Sequence, residues 1–226
     1  MAELERRWAL PAGAASRLAG LLELLAEDPT APSSVTDPAQ AVTVHVQDSL
    51  TALDIPGLRE LDRVVDIGSG AGFPGLALAA AQPGTRFDLV ESVQRKCAFL
   101  ERAIAEVAME NARVICSRAE EWGAGEGREA YGGALVRAVA PLPTLLEYAA
   151  PLLRVGGILV AWKGRREEGK ERAAAIAAGT LGLSLRTVEP VAGTRNRHLF
   201  VYEKREPGPP GYPRRPGVAR KRPLGG

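Results

Sequence analysis

Only two cysteines and two histidines occur in 226 residues, and neither pair is arranged for chemistry. Cys97 and Cys116 form no Cys-x-x-Cys unit and no disulfide framework, so both read as small buried hydrophobic side chains. His45 and His198 belong to no cluster with metal-ligand spacing, so no metal site is expected. No run of about twenty apolar residues occurs, so a membrane-spanning helix is not expected. The first residues carry Glu3, Glu5, Arg6 and Arg7 ahead of a helical pattern, which is not the pattern of a secretory signal. A cytoplasmic protein is the simplest expectation. Apolar residues make up 46% and charged residues 25% of the chain, enough for one medium domain with a real core and short extensions.

The net charge of +2 is small but unevenly placed. Seven basic residues against Glu203 and Glu206 leave residues 203–226 at +5, while the remaining 22 basic and 25 acidic residues sum to −3. A basic tail on a mildly acidic body points to a polyanionic partner, or to a solvated terminus.

The most informative stretch runs from Arg63 to Gly75. The apolar run Val64-Val65 reaches Asp66, breaks into the alternating glycines 68, 70 and 72, and restarts at Pro74, which favours a first helical turn. Gly70-Ala71-Gly72-Phe73-Pro74-Gly75 satisfies the G-x-G-x-x-G dinucleotide pattern, with Glu91 available for a ribose. The register Asp66-x-Gly68-x-Gly70-x-Gly72 instead resembles motif I of S-adenosylmethionine methyltransferases. A pyrophosphate disfavours a nearby carboxylate, whereas an ammonium or sulfonium favours one. The acid therefore leans toward S-adenosylmethionine.

Residues 1–57 read as a helical extension. Leu18, Leu21, Leu22 and Leu25 are spaced for an amphipathic helix, a loop covers 28–38, and a second helix covers 38–53. Over 58–203, strands are predicted at 63–67, 86–90, 113–116, 133–136 and 157–162. Helices are predicted between them at 74–82, 94–108, 141–153 and 167–182. Two last strands, 184–190 and 198–203, follow without an intervening helix. The expected fold is α/β, a doubly wound and mostly parallel seven-stranded sheet of the class I methyltransferase (Rossmann-like) type. Residues 204–226, rich in proline and glycine, are too poor in apolar side chains for a core of their own. They lie along the body or stay mobile.

Ligands of such sheets sit beyond the carboxyl ends of the strands. Those ends carry Asp66 with the glycine loop, Glu91, then Ala119 and Glu120, then Arg137. Glu91 is placed for two ribose hydroxyls, Glu120 for an adenine amine, and Ala119 leaves room for the ring. Phe73 either packs on the cofactor or closes the loop onto the sheet. No Asn-Pro-Pro-Tyr-like tetrad follows the fourth strand, and no cysteine stands where a C5 pyrimidine enzyme needs its nucleophile. A ring nitrogen with a free lone pair, such as guanine N7, needs neither device nor a general base.

Several elements fall in one order: residues 66–75, Val90-Glu91-Ser92 with Lys96, Phe99 and Leu100, Arg118-Ala119-Glu120-Glu121, Arg137-Ala138-Val139-Ala140, and Trp162-Lys163-Gly164. From about residue 38 to the end the chain resembles the glucose-inhibited division protein B family, the RsmG-type 16S rRNA guanine-N7 methyltransferases. Tyr212-Pro213-Arg214-Arg215-x-Gly217 with Pro223-Leu224 resembles the C-terminal signature of that family, and His45-x-x-Asp48-Ser49-Leu50 its N-terminal one. The resemblance implies S-adenosylmethionine as cofactor, held by Gly68, Phe73, Ala119, Glu120 and Arg137, with Asp66, Gly70 and Glu91 from the strand-end reading beside them. Arg137 is also the candidate that positions the reacting groups, and His45 and Asp48 suit a bracing role. The implied partner is 16S ribosomal RNA or the small ribosomal subunit, met by a monomer. Lys163, Arg165, Arg166, Arg214, Arg215, Arg220, Lys221 and Arg222 are the candidate RNA contacts. One departure stands out: where family members carry Trp-Asn and Asn-Leu-Thr, this chain reads from Ala26 through Asp28, Pro29 and Pro32 to Ser34, which bears on the N-terminal packing. A small-molecule methyltransferase, a non-catalytic RNA-binding assembly factor and a nicotinamide dehydrogenase remain the alternatives.

Overall fold

The computed structural model describes residues 1–33, 35, 37–137, 140–194 and 196–225. Ala138 and Val139 of the Arg137–Ala140 element therefore lie outside the described residues, as does Ser34. Helices α1 (Ala2–Trp8) and α2 (Ala14–Glu27) precede a helical segment over 38–54. That segment begins as α3 (Pro38–Ala41), widens to a π-helix over Val42–Gln47, continues as α4 (Asp48–Leu50) and tightens to a 3-10 turn over Thr51–Asp54. A π segment inside a helix frequently marks a functional site.

Alternation then sets in. The strands are β1 (Arg63–Ile67), β2 (Arg86–Glu91), β3 (Ala112–Cys116), β4 (Tyr131–Arg137), β5 (Leu153–Lys163), β6 (Leu183–Pro190) and β7 (His198–Lys204). Helices α5 (Gly75–Ala81), α6 (Gln94–Glu106), α7 (Ala119–Ala124), α8 (Leu142–Ala149) and α9 (Glu168–Thr180) separate them, and α10 (Val218–Lys221) ends the chain. The strand order is β3-β2-β1-β4-β5-β7-β6. β7 runs antiparallel to both neighbours, and the other pairings are parallel. This is the expected seven-stranded sheet closed by a hairpin.

Each face of the sheet buries one apolar layer. Trp8, Leu18, Leu50, Leu76 and Phe99 pack with Val64 and Val160 on one face. Leu145, Ala149, Ala177 and Leu181 pack with Val65, Val136 and Phe200 on the other. All seven residues of α5 are buried, because the helix is enclosed between the sheet and the N-terminal helices. Its Gly-Leu-Ala-Leu-Ala-Ala-Ala sequence suits that place: small side chains let helix and sheet approach closely.

Three readings are corrected. The helix expected over 141–153 ends at Ala149, and the strand expected from 157 begins at Leu153, which pairs with Tyr131. The glycines at 156 and 157 form an irregularity within the strand edge rather than the turn before it; Gly156 sits at φ +83°. The cysteines are not two separate buried hydrophobes. Cys97 is buried, Cys116 is exposed, and their sulfurs are joined with a Cα–Cα distance of 5.8 Å. The first turn of α6 lies over the end of β3, a proximity invisible in their spacing of 19 residues. For the tail, the first of the two expected alternatives holds: it is folded against the body along 212–225. No helix among the described residues is long and apolar enough to cross a membrane.

Candidate active site

Parallel pairing brings the ends of β1, β2, β3 and β4 to one edge, since Ile67 stands level with both Val90 and Val136, and Glu91 with Cys116. A cavity of about 540 Å³ opens there, bounded by Gly68, Gly70, Glu91, Ala119, Glu120 and Arg137. Gly68, Gly70 and Gly72 all adopt positive φ, at 70°, 56° and 91°, a conformation glycine takes without a Cβ clash. The loop is tied back to the sheet by the Gly68 N–H, which donates to the Val90 carbonyl at 2.8 Å.

Asp66 does not line this cavity, which departs from its expected place among the ligands. It is 1% exposed, and its Oδ2 accepts the Gly75 N–H at 3.0 Å. A Cβ on Gly75 would come within 2.6 Å of that oxygen and 2.5 Å of Leu89. Asp66 thus fastens the start of α5 under the loop, satisfying a helix-end donor that would otherwise be orphaned. Burial pushes its carboxyl up to about 7, against the Gly75 hydrogen bond and the Arg137 charge. Folded Asp66 holds its proton more tightly than the ordinary carboxyl at 3.8. Its stabilising contribution is complete below that value and lost as pH rises through about 7. Thermal melts from about pH 5 to about pH 8 are expected to show a fall in stability that Asp66→Asn reduces. Parallel curves for the two proteins would refute the shift.

Glu91 is 5% exposed at the end of β2. Its Oε2 accepts the Gly70 N–H at 3.1 Å, and its Oε1 accepts the Ser92 and Val93 N–H groups at 2.8 and 2.9 Å. Three main-chain donors therefore fix the carboxylate while lone pairs remain for hydroxyl donors from a ligand. Glu120, in the first turn of α7, is 6% exposed. Its Oε1 accepts the Gly217 N–H at 2.9 Å; among the described residues no donor reaches Oε2. Ala119 lies beside it on the cavity wall.

Arg137 is held from the N-terminal side. Its guanidinium donates to the Val44 carbonyl and to Asp48 Oδ2, both at 3.0 Å, and Arg197 meets the same oxygen at 2.9 Å. The Trp162 indole N–H donates to the Asp48 carbonyl at 3.0 Å. His45 stacks on Phe73 with ring centroids 4.9 Å apart, and its Nε2 lies 3.0 Å from Ser33 Oγ. Burial holds the His45 imidazole down at about 4, helped by Arg137 and opposed by Asp48. It is neutral near pH 7. Phe73 lines the cavity and is backed by His45 rather than by the sheet alone.

The candidate RNA contacts divide by their partners. Arg214 forms a two-pronged ion pair with Glu147, whose side chain is 1% exposed, and also donates to the Arg222 carbonyl at 2.9 Å. A phosphate contact would require it to give up that pair. Arg166 is paired with Glu171, and Lys163 donates to the Ala140 carbonyl at 2.8 Å. Arg165, Arg215, Lys221 and Arg222 are exposed. Arg220 is exposed too but lines the cofactor cavity. A second hollow of about 410 Å³ adjoins the first at Ala140 and carries Lys163, Arg165, Arg166 and Lys170 on its rim. Sequence reasoning missed Tyr148, Gly217 and Arg197 as site neighbours. Tyr148 and Arg197 belong to no local motif, and Gly217 stood only in the C-terminal signature with no site role attached; each reaches the site from a distant element.

A family described as rRNA small subunit methyltransferase G matches residues 21–200. The chain is 40% identical over 199 residues to the ribosomal RNA small subunit methyltransferase G of Moorella thermoacetica, covering 85% of this chain and 82% of that protein. It is 42% identical over 199 residues to the protein of the same description from Roseiflexus castenholzii, covering 85% and 83%. Among solved structures it is similar to Aeropyrum pernix fibrillarin in complex with S-adenosyl-L-methionine, with TM-score 0.50 and 17% identity over 62% of this chain and 66% of that one. It is also similar to a geranyl diphosphate methyltransferase in complex with SAM, with TM-score 0.58 and 14% identity over 82% and 94%. The structural matches speak for the methyltransferase fold over a six-stranded dinucleotide fold.

Proposed function

Because the chain belongs to the rRNA small subunit methyltransferase G family, we propose that it transfers the methyl group of S-adenosylmethionine to N7 of a guanine in 16S ribosomal RNA. The observation that carries this reading is the pair of buried carboxylates, Glu91 and Glu120, at successive strand ends around the glycine loop. The donor set fits that cofactor. Glu91 has lone pairs for a ribose diol, Glu120 Oε2 for an adenine amine, and the cavity falls within the ~300–1,000 Å³ of small-ligand sites. S-adenosylmethionine, when bound, supplies an electrophilic methyl group on a sulfonium. The residues around it bind and orient.

Guanine N7 carries its lone pair in the ring plane, so attack requires no prior deprotonation. Alignment and charge then provide the acceleration. Arg137, immobilised by Asp48 and Val44, is the positioning group of the site. The rim of the second hollow offers cations where RNA phosphates would approach. Removing exposed charge there should weaken RNA binding without touching the cofactor. Arg165→Ala on that rim, and Arg215→Ala on the exposed C-terminal segment, are each expected to lower the salt-dependence slope of RNA binding by roughly 1, with S-adenosylhomocysteine affinity as in the wild type. An unchanged slope in both would remove these residues from the interface.

The direct test supplies labelled S-adenosylmethionine and unmodified small ribosomal subunits, then maps N7-methylguanine by chemical strand cleavage. A single cleaved guanine in 16S RNA is the expected result. Cofactor binding without transfer to subunits or free RNA would overturn the reading in favour of a small-molecule acceptor or a non-catalytic RNA factor.

A further inference from the structure

The C-terminal segment is anchored far more firmly than a charged tail requires. Arg214 spans to the buried Glu147 of α8 with both guanidinium prongs. Thr144 of the same helix donates to the Ala219 carbonyl at 3.2 Å, and Ala219 itself is 1% exposed. Arg128 donates to the Tyr212 carbonyl at 3.1 Å, and Tyr212 and Leu224 pack on the apolar layer of that face. Gly225 lies so close to α9 that a Cβ there would meet the Ala173 carbonyl oxygen at 2.5 Å. Between these anchors the segment passes the cofactor cavity, where Gly217 and Arg220 form part of the wall.

The contact at that passage falls on Glu120. Gly217 donates its N–H to Oε1 at 2.9 Å across 97 residues of sequence. A carboxylate on a flexible side chain can rotate; one oxygen held by a main-chain donor sets the direction of the other. We propose that the C-terminal segment is a strap that completes the cofactor site, and that Gly217, by fixing Glu120, makes the site select a 6-amino purine over a 6-oxo purine. The held carboxylate accepts from an N–H at purine position 6 and faces an oxygen, acceptor against acceptor, when that amine is replaced. Gly217 is a positioning residue that acts through Glu120. The proposal rests on the assignment of Glu120 to the adenine.

The test measures dissociation constants of S-adenosylhomocysteine and its 6-oxo analogue S-inosylhomocysteine by calorimetry on the full chain. The wild type is expected to prefer the adenine form on the order of 100-fold, since a buried acceptor left without its donor is costly. Gly217→Pro removes the N–H and, because Gly217 sits at φ +81°, which proline cannot adopt, also shifts the segment away from Glu120. It should cut that preference below about 10-fold while leaving S-inosylhomocysteine affinity within about 3-fold, because the 6-oxo ligand does not use Glu120. The paired variant Arg214→Gln with Glu147→Gln loosens the strap without stranding a buried charge, and should lower the preference in the same way. Equal weakening of both ligands, with the preference intact, overturns the proposal.

Glu120→Gln, whose amide can donate to a 6-oxo group, separates the two levels of the argument. An unchanged preference there overturns the adenine assignment itself. A lost preference there, with full preference in both strap variants, overturns the role of the strap alone. Tryptic cleavage after the exposed Arg220 and Lys221 adds an independent readout. Saturating S-adenosylhomocysteine should slow it severalfold, and equal rates with and without ligand count against the strap.

Discussion

Glu91→Ala is expected to raise the dissociation constant for S-adenosylhomocysteine by about 100-fold or more, near 2.7 kcal/mol. Under the proposed function the carboxylate has two tasks. It receives the N–H groups of Gly70, Ser92 and Val93, which hold the glycine loop against the end of β2, and it keeps lone pairs for the two ribose hydroxyls. Hydrogen bonds to a charged group contribute roughly 1.5–3 kcal/mol each. Truncation removes the ribose contacts and also frees the loop amides, so the loss exceeds that of one bond. Glu91→Gln keeps a single carbonyl acceptor and should fall between the two. Calorimetric titration decides it: affinity within about 3-fold of the wild type in Glu91→Ala would exclude Glu91 from the cofactor site.

The second large effect is expected at Asp48. Arg137 and Arg197 both converge on its Oδ2, and Asp48 and Arg137 are 4% and 13% exposed at their side chains. Asp48→Ala leaves a guanidinium buried without its counter-charge, a loss of about 3–5 kcal/mol for a fully buried pair. The second cation, Arg197, is 37% exposed, so water recovers part of its solvation and the lower end applies. A loss of about 3 kcal/mol lowers the melting temperature by roughly 6–12 °C in a chain of this size. Methyl transfer should fall further than folding explains, because Arg137 loses one of the two acceptors that orient it. Asp48→Asn, which retains a carbonyl acceptor, should recover much of the stability and less of the activity. A melting temperature unchanged in Asp48→Ala would show that the two arginines are satisfied without it.

Much of the sheet was legible because its signals are local. Val64-Val65-Asp66-Ile67 is an apolar run ended by alternating glycines, and β1 occupies 63–67. The strand expected over 86–90 and the helix expected over 94–108 were equally direct. Errors arose where neighbouring segments overrode a local preference. Gly156-Gly157 has the composition of a turn, yet Leu153 pairs with Tyr131 across the irregularity and draws the strand back toward α8. The cavity walls contributed by Gly68, Glu91, Ala119 and Glu120 followed from strand order alone, since parallel strands deliver their carboxyl ends to one edge.

Arg214 and Asp66 mark the limit of that reasoning. Charge content made Arg214 a candidate for RNA, but its partner Glu147 lies 67 residues away and buried in α8. Asp66 stood at the mouth of the loop in sequence, but the turn at Gly72 carries Gly75 back over it and closes its carboxylate under the helix. The sequence by itself determined the α/β alternation, the glycine loop, the strand-end acids and the family, because periodicity and short spacings encode them. Only the tertiary structure decided that Asp48 braces Arg137, that Cys97 meets Cys116 and that Gly217 holds Glu120. Each is a contact between segments distant in the chain, set by how helices and tail pack on the sheet, and no local pattern of residues encodes that packing.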